Sequence, residues 1–391
     1  MLQYTYKKRF FYPLLAFLLA LGAVSSAQAI ETKAREAILL DVETGTVLFE
    51  KDADLPMPPA SMSKIMTIYM VFERLKDGRL SLDDTFRVSE NAWRKGGWAT
   101  GGSTMSLEPN ERVRVEDLIL GVIVQSGNDA SIVLAEGISG SEEAFANEMN
   151  ERGREMGLTG STFRNATGWP HAEHLSTARD LATIARRTIL DFPEYYPYYS
   201  IKEFTLEGKP SANRFNRNPL LRRNMGADGL KTGHTLEAGY GLTASAKRGD
   251  RRLIVVVNGL ESKKERGDEP EKLLDWGFRE FNNYALFRAG ETVDEAEIWL
   301  GTQATVPLVI DRDVKLTLPR KARRNMKVTV RYEGPVPAPI AKGQTVATLE
   351  ITMPDVEPLT IPLLAGEDVA QLGFFGRLGA AVNTLLWGRS Q

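Results

Sequence analysis

The pattern of apolar residues changes between residues 283 and 292, and this change most constrains how the chain can fold. Before it, helical periodicity at 62–75 and 176–191 is mixed with two-residue alternation at 35–50 and on both sides of the turn at Gly249-Asp250. Such a mixture predicts an α/β (α+β) domain in which helices cover a sheet. After it, short alternating runs separated by Gly, Pro and Asp turns predict a small all-β sandwich or barrel.

Three further segments belong to the first of these domains. Residues 90–111 are rich in glycine and tryptophan and predict a long surface loop, a kind of segment that is often functional. Residues 115–158 predict helices with one polar interruption, and residues 271–287 predict a helix that closes the domain. We therefore expect the two domains at 30–285 and 290–368.

The first 29 residues have the three parts of a secretory signal. A basic start at Lys7-Lys8-Arg9 precedes an apolar run at 10–24 and a small-residue end at Ala27-Gln28-Ala29. The apolar run is shorter than the roughly 20 residues that span a membrane. We expect residues 1–29 to be removed and the mature chain to begin near Ile30, outside the cytoplasm. An uncleaved N-terminal anchor is the alternative.

Composition excludes several classes of protein. The chain has 391 residues, of which 42% are hydrophobic and 26% charged, so it can bury proper cores. Its formal net charge of -2 gives no broad basic field, so we expect no nucleic-acid partner. It has no cysteine, which excludes disulfides, a thiolate nucleophile and a cysteine metal site.

Residues 369–391 form an amphipathic pattern at the end of the chain. At about 100° per residue, one arc of roughly 120° holds six large apolar side chains. These are Phe374, Phe375, Leu378, Val382, Leu385 and Leu386. We expect this helix to lie in a membrane interface, since it is too short and too rich in glycine to span. Packing on its own β-domain is the alternative.

Ser61 and Lys64 lie three residues apart at the start of the predicted helix 62–75. Residues at this spacing share a helix face, so the lysine amine can reach the serine oxygen. Positive potential at the helix N-terminus would stabilise an oxyanion there, and burial would lower the lysine pKa enough for it to act as a base. Taken alone, the pair also fits a helix cap followed by a solvated lysine.

Ser126-Gly127-Asn128 separates two apolar helical segments. A polar triplet between buried helices can point a hydroxyl and an amide into a cleft. Ser126 could then relay a proton, and Asn128 could hold a substrate amide. An Asx-type helix stop is the alternative.

Lys231-Thr232-Gly233 lies in a stretch with the alternation of a strand. On an edge strand, the lysine and the hydroxyl together form a seat for a carboxylate or phosphate. Gly233 would let a substrate backbone lie against the strand. An ordinary Lys-Thr-Gly turn is the alternative.

Ser-x-x-Lys, Ser-x-Asn and Lys-Thr-Gly, in this order on a helix, a loop and a strand, match the motif set of penicillin-binding proteins and class A β-lactamases. From about residue 32 to its end, the chain resembles the low-molecular-mass penicillin-binding proteins that are D-alanyl-D-alanine carboxypeptidases, of the penicillin-binding protein 5 type. The resemblance rests on "PASMSK", "VQSGNDAS", "STARDLATIA", "NRNPLL" and "DGLKTGHTLEAGY", and on the β-rich domain and terminal helix. It implies a catalytic domain of the serine β-lactamase and transpeptidase type, with an antiparallel sheet covered by helices.

The resemblance also implies a reaction. The protein would be a periplasmic enzyme of cell-wall remodelling that removes the terminal D-alanine from peptidoglycan stem pentapeptides and is acylated by β-lactam antibiotics. Ser61 would attack the penultimate D-alanine carbonyl, Lys64 would be its base, and Ser126 would pass a proton to the leaving amine. Water would hydrolyse the acyl-enzyme, with no cofactor or metal. The C-terminal helix would attach the enzyme to the outer, periplasmic face of the inner membrane.

The same resemblance assigns the residues that bind substrate. Asn128 would hold a substrate amide, and Lys231 and Thr232 would seat the terminal carboxylate. The backbone N–H groups of the nucleophile and of His234 would form the oxyanion hole that acyl transfer needs. Arg252 would be a further arginine for the carboxylate.

The sequence disfavours two other functions and one metal site. A penicillin hydrolase of class A would carry a Glu-x-x-Leu-Asn motif, which this chain lacks. A non-catalytic peptidoglycan binder would have lost part of the motif set, whereas all three motifs are intact. His171 and His174 could bind zinc, but without a third clear ligand or the His-Glu-x-x-His spacing we expect a solvated turn.

Overall fold

A five-stranded antiparallel sheet lies at the centre of the first domain in a computed structural model, which describes residues 30–209, 211–353 and 356–379. The first seven strands of the chain are Glu36–Asp41 (β1), Val47–Lys51 (β2), Thr85–Arg87 (β3), Arg112–Arg114 (β4), Ala227–Thr235 (β5), Gly239–Arg248 (β6) and Arg251–Leu260 (β7). The sheet order is β2-β1-β7-β6-β5, while β3 pairs with β4. The strand that carries the Lys-Thr-Gly motif is therefore an edge strand.

Seven α-helices lie in the described residues of the same domain, and they cover both faces of the sheet. They are Lys64–Lys76 (α1), Glu90–Gly96 (α2), Val115–Leu120 (α3), Asn128–Ser139 (α4), Glu142–Glu155 (α5), Ala178–Asp191 (α6) and Glu265–Glu280 (α7). Neighbouring side chains of a strand point to opposite faces. Accordingly, Ile254 of β7 belongs to the core that contains α1 and α6, whereas Leu253 contacts Gly277 of α7. The predicted sheet covered by helices is confirmed.

The stretch at 90–111 is only partly the loop that its composition predicts. Residues Glu90–Gly96 form α2, whose N-terminus is capped because Ser89 Oγ accepts a 2.9 Å hydrogen bond from the Ala92 N–H. A short 3-10 helix follows at Trp98–Thr100. The Ser89 cap is a local signal for a helix, but the glycine-rich residues that follow it favour the prediction of a loop.

The predicted helix at 271–287 is wrong in its second half. Helix α7 begins earlier, at Glu265, and ends at Glu280, and the next residues form strand Phe281–Phe287 (β8). This strand pairs antiparallel with Val314–Pro319 (β11), which lies about thirty residues further along the chain. A partner that distant decides the conformation of a segment whose own apolar residues fit either structure.

The second domain is all-β, as predicted. Its remaining strands are Thr292–Trp299 (β9), Thr305–Val309 (β10), Lys327–Arg331 (β12), Val336–Pro337 (β13), Thr345–Met353 (β14) and Val356–Ala365 (β15). They form a six-stranded sheet in the order β12-β14-β15-β10-β9-β13, which shares one apolar core with the β8–β11 pair. Thr44 Oγ1 and Thr317 Oγ1 lie 2.6 Å apart and tie this domain to the β1–β2 turn.

Residues 374–379 are helical and expose Phe374, Phe375 and Leu378. The rest of the predicted amphipathic helix, at 380–391, lies outside the described residues, as does the predicted signal at 1–29. Among the helices that the structure describes, none is long and apolar enough to cross a membrane.

Candidate active site

Ser61 lies on a 3-10 turn, Ala60–Ser63, that leads directly into α1. Ala60, which precedes it, has a φ of 47°, a left-handed value that is unusual for a residue with a Cβ atom. Strained backbone of this kind is found where a side chain must be held in one position. Ser61 faces a cavity of ≈ 880 Å³ between the helices and the edge strand β5.

Lys64 follows Ser61 by one helical turn and is completely buried. Its Nζ lies 3.1 Å from Ser61 Oγ, and it donates hydrogen bonds to Asn128 Oδ1 at 2.7 Å and to the Thr167 carbonyl oxygen at 2.5 Å. A neutral amine that donates its two N–H groups in this way keeps its lone pair for the Ser61 hydroxyl proton. The structure thus brings Ser61, Lys64 and Asn128 together.

The environment of Lys64 favours its neutral form. Burial lowers the lysine pKa to about 7, and repulsion by the Arg217 guanidinium acts in the same direction. At an unshifted pKa, only about one molecule in 3,000 would carry a neutral lysine at pH 7. At a pKa of about 7, half of the molecules do, so Lys64 can accept a proton near neutral pH.

Ser126 follows a π-helical turn, Gly121–Gln125, and has a left-handed φ of 61°. Its Oγ is buried and has no hydrogen-bond partner among the described residues. A buried hydroxyl without a partner costs stability, so such groups are rare outside functional sites. Asn128 begins the next helix, α4, and it lines the cavity.

Lys231, Thr232 and Gly233 lie together on β5, beside the 3-10 turn that carries Ser61. Lys231 is buried, and burial lowers its pKa far below the ordinary value, with repulsion from Arg217 contributing. A Cβ atom on Gly233 would lie 2.8 Å from the Pro59 carbonyl oxygen. Gly233 is therefore needed for strand-to-turn packing, a reason that the sequence did not reveal.

Two arginines that sequence reasoning missed also line the cavity. Arg217 donates to Ser103 Oγ at 2.9 Å and to the Gln125 carbonyl at 2.6 Å. Arg266, from α7, is only 7% exposed, and its Nε has no acceptor among the described residues. Arg217 lies in "NRNPLL", one of the segments that carry the family resemblance, but its spacing gives the arginine no role. No local pattern marks Arg266.

The placement expected for Arg252 is wrong. Its guanidinium forms two 2.6 Å hydrogen bonds with the Asp228 carboxylate and donates to Ser245 Oγ at 2.9 Å, and it does not line the cavity. The ring of Tyr196 lies 5.0 Å from the guanidinium carbon. These groups satisfy the charge of Arg252 within the sheet, whereas Arg217 and Arg266 line the cavity.

The three histidines lie in different surroundings. His234 is exposed at the cavity, with its ring centre 4.0 Å from that of Tyr240. His174 is buried, not solvated as expected, and its Nε2 lies 2.6 Å from Ser63 Oγ while its Nδ1 accepts from the Arg164 N–H. Burial lowers the pKa of His174 to about 4. Within the described residues, no group of three or more metal-binding side chains includes His171 or His174.

Comparison with known proteins gives consistent matches along the chain. A family model described as D-alanyl-D-alanine carboxypeptidase matches residues 23–262, and one described as the C-terminal domain of penicillin-binding protein 5 matches residues 281–371. The D-alanyl-D-alanine carboxypeptidase DacC of Escherichia coli is 40% identical over 368 residues, which are 93% of this chain and 91% of that protein.

Solved structures agree with these matches. Penicillin-binding protein 5 from Haemophilus influenzae superposes with a TM-score of 0.78 at 35% identity, covering 88% of this chain and 99% of that one. Penicillin-binding protein D2 from Listeria monocytogenes, in its ampicillin-bound form, superposes with a TM-score of 0.55 at 31% identity, covering 64% of this chain and 98% of that one.

Proposed function

The chain belongs to the family of serine-type D-alanyl-D-alanine carboxypeptidases, and we propose that Ser61 is its nucleophile. Ser61 Oγ attacks the carbonyl carbon between the last two D-alanines of a peptidoglycan stem peptide. An ester to the enzyme forms, the C–N bond breaks, and the terminal D-alanine leaves. The observation that carries this proposal is the 3.1 Å contact between Ser61 Oγ and the fully buried Lys64.

Two proton transfers accompany the attack. Neutral Lys64 takes the proton of the Ser61 hydroxyl as the new C–O bond forms. Ser126 Oγ, which is buried and unpaired in the described part of the chain, passes a proton to the leaving amine. Water then attacks the ester, the free peptide acid leaves, and Ser61 regains its proton.

The charges of the cavity support binding of a peptide with a free C-terminus. Arg217 and Arg266 line the cavity as cations and Thr232 adds a hydroxyl, so a carboxylate there receives charge-assisted hydrogen bonds, while Lys231, which is buried next to Thr232 in the strand, supplies a further N–H donor. The buried Nε of Arg266 is a donor still in need of an acceptor. Asn128 holds the substrate amide, and the N–H groups of Ser61 and His234 receive the developing oxyanion.

The proposed reaction extends to β-lactam antibiotics, whose ring carbonyl Ser61 would attack in the same way. The likeness to the ampicillin-bound protein from Listeria monocytogenes supports this. Intact-protein mass spectrometry of the mature chain with benzylpenicillin, and with a peptide ending in D-alanyl-D-alanine, tests it. We expect a stable penicilloyl adduct and D-alanine release, both absent in Ser61→Ala. Rapid adduct loss with intact peptide would identify a penicillin hydrolase, and no adduct with no turnover a binder.

We also propose a location and a domain division. Residues 1–29 are a signal peptide, 30–285 the catalytic domain, 290–368 a supporting β-domain, and 369–391 a membrane-anchoring helix, so that the enzyme works at the periplasmic face of the inner membrane. The exposed Phe374, Phe375 and Leu378 support the anchor. Deletion of residues 371–391 followed by cell fractionation tests it, with Phe374→Ser as a milder variant. Sedimentation of the truncated chain with membranes would refute the anchor.

A further inference from the structure

Two exposed tryptophans lie five residues apart, on α2 and on the 3-10 helix that follows it. Trp93 of α2 is 41% exposed, and Trp98 of the 3-10 helix is 75% exposed. A tryptophan ring gains much free energy when it is buried, so a pair of exposed rings on one short segment has a use other than folding. Such a pair marks an interaction surface.

Helix α2 holds Trp93 in a fixed position because the helix packs very closely on α4. A Cβ atom on Gly96 would lie only 2.2 Å from the backbone nitrogen of Asp129, so no larger residue fits between the two helices. Ala92, one turn before Gly96, is fully buried on the same face. Trp93 is turned about 100° from Ala92 around the helix axis, and its ring therefore lies beside the covered face.

The Trp93 ring forms one wall of a groove of ≈ 430 Å³, which we call the Trp93 groove. The other residues that line it are Arg87, Ser89, Glu90, Pro109 and Asn110. Arg87 Nε donates a 3.0 Å hydrogen bond to Asn110 Oδ1, so two planar polar groups are held side by side. With its Oδ1 engaged, Asn110 offers its amide N–H groups to a ligand.

The charges of the Trp93 groove balance. Arg87 and Glu90 contribute one charge of each sign, and Glu90 forms an ion pair with Arg94 one turn further along α2. The groove therefore suits an uncharged ligand that has one apolar face and several polar groups. An N-acetylated sugar ring is such a ligand. Its axial C–H groups stack on an indole ring, and its hydroxyl and acetamide groups form hydrogen bonds with planar side chains.

The position of the groove indicates which sugar reaches it, an argument that rests on the proposed function. Trp98 lines the active-site cavity and Trp93 lines the groove, so residues 93–98 connect the two sites. An extended stem pentapeptide spans about 17 Å. Because its other end is attached to a sugar of the glycan strand, sugars of that strand come close to the rim of the cavity while the peptide is bound.

We propose that the Trp93 groove binds an N-acetylated sugar ring of a peptidoglycan glycan strand. Trp93 stacks on the apolar face of the sugar, and the Asn110 amide donates a hydrogen bond to one of its oxygens. The groove holds the polymer while the active-site cavity takes one stem peptide. The enzyme therefore prefers stem peptides attached to glycan to the same peptides in free form.

Calorimetry of the mature chain with a soluble β-1,4-linked N-acetylglucosamine tetramer tests the groove without catalysis. We expect saturable binding, with a Kd about tenfold higher in Trp93→Ala, because the stacking surface is lost. Trp93→Tyr should restore most of the affinity, since its ring keeps a flat face. Absence of binding to the wild type, or an unchanged Kd in Trp93→Ala, would overturn the proposal.

Trp299→Ala is the matched control for the loss of an exposed ring. Trp299 is 38% exposed, lies on β9 of the second domain, and lines neither the groove nor the active-site cavity. Its removal should leave the Kd for the tetramer unchanged. An equal loss of affinity in Trp299→Ala and Trp93→Ala would show that binding is not at the groove.

Asn110→Gly is a second variant, which tests the groove even if Trp93→Ala folds poorly. Asn110 has a left-handed φ of 70°, which glycine adopts freely, so the substitution removes the amide without straining the backbone. We expect the Kd for the tetramer to rise about three- to tenfold, the value of one hydrogen bond. Wild-type affinity in both Asn110→Gly and Trp93→Ala would overturn the proposal.

Release of D-alanine from one stem peptide, free or attached to a soluble glycan fragment, tests the consequence for catalysis. We expect kcat/KM to be about fivefold higher for the attached peptide in the wild type and in Trp299→Ala, because binding of the sugar raises the local concentration of peptide. The ratio should approach one in Trp93→Ala. Equal values for the two substrates in the wild type would overturn the preference.

The two proposals fail in different ways. If the wild type released no D-alanine from either substrate, the proposed reaction would fail, while binding of the tetramer would still judge the groove. If D-alanine were released but the tetramer did not bind, the groove would fail and the reaction would stand.

Discussion

Gly168 lies so close to Ala60 that a Cβ atom on the glycine would stand 1.9 Å from the alanine carbonyl oxygen. The loop that contains Gly168 is held by Asn165, whose Oδ1 accepts hydrogen bonds from the next N–H groups along the chain. The carbonyl of the adjacent Thr167 receives the Lys64 amine. One loop therefore fixes both the turn that carries the nucleophile and the nitrogen that serves it.

We predict that Gly168→Ala lowers both stability and the rate of acylation. A left-handed φ costs a residue with a Cβ atom about 1–2 kcal/mol, and the clash with Ala60 adds about 1–3 kcal/mol of overpacking strain. Gly157→Ala is the matched control, with a φ of 79° and no described atom within 4 Å of the added Cβ. Urea unfolding and penicilloyl adduct formation measure the two effects. Equal stability losses with intact acylation in both variants would show that the contact is unimportant.

Acylation should rise with pH through the pKa of Lys64. Because that pKa is lowered to about 7, the lysine is charged and unable to act as a base below this pH and neutral above it. The acylation rate should therefore increase about tenfold between pH 6 and pH 8, following the neutral fraction. Stopped-flow mixing with a chromogenic β-lactam measures the profile. Lys64→Arg should abolish acylation, since arginine stays protonated, and a flat profile would exclude Lys64 as the base.

Ser126→Ala should separate activity from stability. The buried Ser126 hydroxyl makes no hydrogen bond to a described residue, so its removal should leave the free energy of unfolding unchanged or raise it by up to about 1–3 kcal/mol. Loss of the proton relay should lower kcat by about 10²- to 10⁴-fold. Ser139→Ala is the control, because Ser139 Oγ is likewise buried and unpaired there but lies at the far end of α4, eleven residues beyond Asn128. A fully active Ser126→Ala enzyme would rule out the relay.

Arginines that line the cavity should affect substrate binding, whereas Arg252 should affect stability. Arg217→Ala and Arg266→Ala should each lower kcat/KM for D-alanyl-D-alanine peptides by about 10- to 100-fold, the value of one charge-assisted hydrogen bond. Arg252→Ala should leave KM unchanged and cost about 1.5–3 kcal/mol of stability, because it deprives Asp228 of its partner. Steady-state kinetics and thermal unfolding of the three variants provide the comparison. A raised KM in Arg252→Ala alone would reverse the assignment.

Local patterns predicted the parts of the molecule that local interactions determine. Alternation and helical period reveal which face of an element is buried, so the sheet, its covering helices and the β-domain could be anticipated. Ser61 and Lys64 could be paired because three residues on a helix fix their separation. The same reasoning failed at 281–287, since only the pairing of β8 with β11 makes that segment a strand.

The cation cluster could not be predicted from spacing alone. Arg217 and Arg266 come from a loop and from α7, far apart in the sequence, and only the folded chain brings both to the wall of one cavity. An arginine has the same appearance in a sequence whether it neutralises a buried acid or lines a cavity. The resemblance implied Arg252 for the carboxylate, and nothing in the sequence around it shows that this arginine is paired with Asp228.

The two arginines that line the cavity, Arg217 and Arg266, give the two halves of the proposed reaction different electrical surroundings. A peptide loses its carboxylate together with the departing D-alanine, so Arg217 and Arg266 face a carboxylate seat that is open to water while the ester awaits hydrolysis. A penicillin keeps its carboxylate tethered to the acyl group after ring opening. The same two arginines would then hold the opened antibiotic in place. The arrangement that attracts the substrate would thereby also set how long an inhibitor resides.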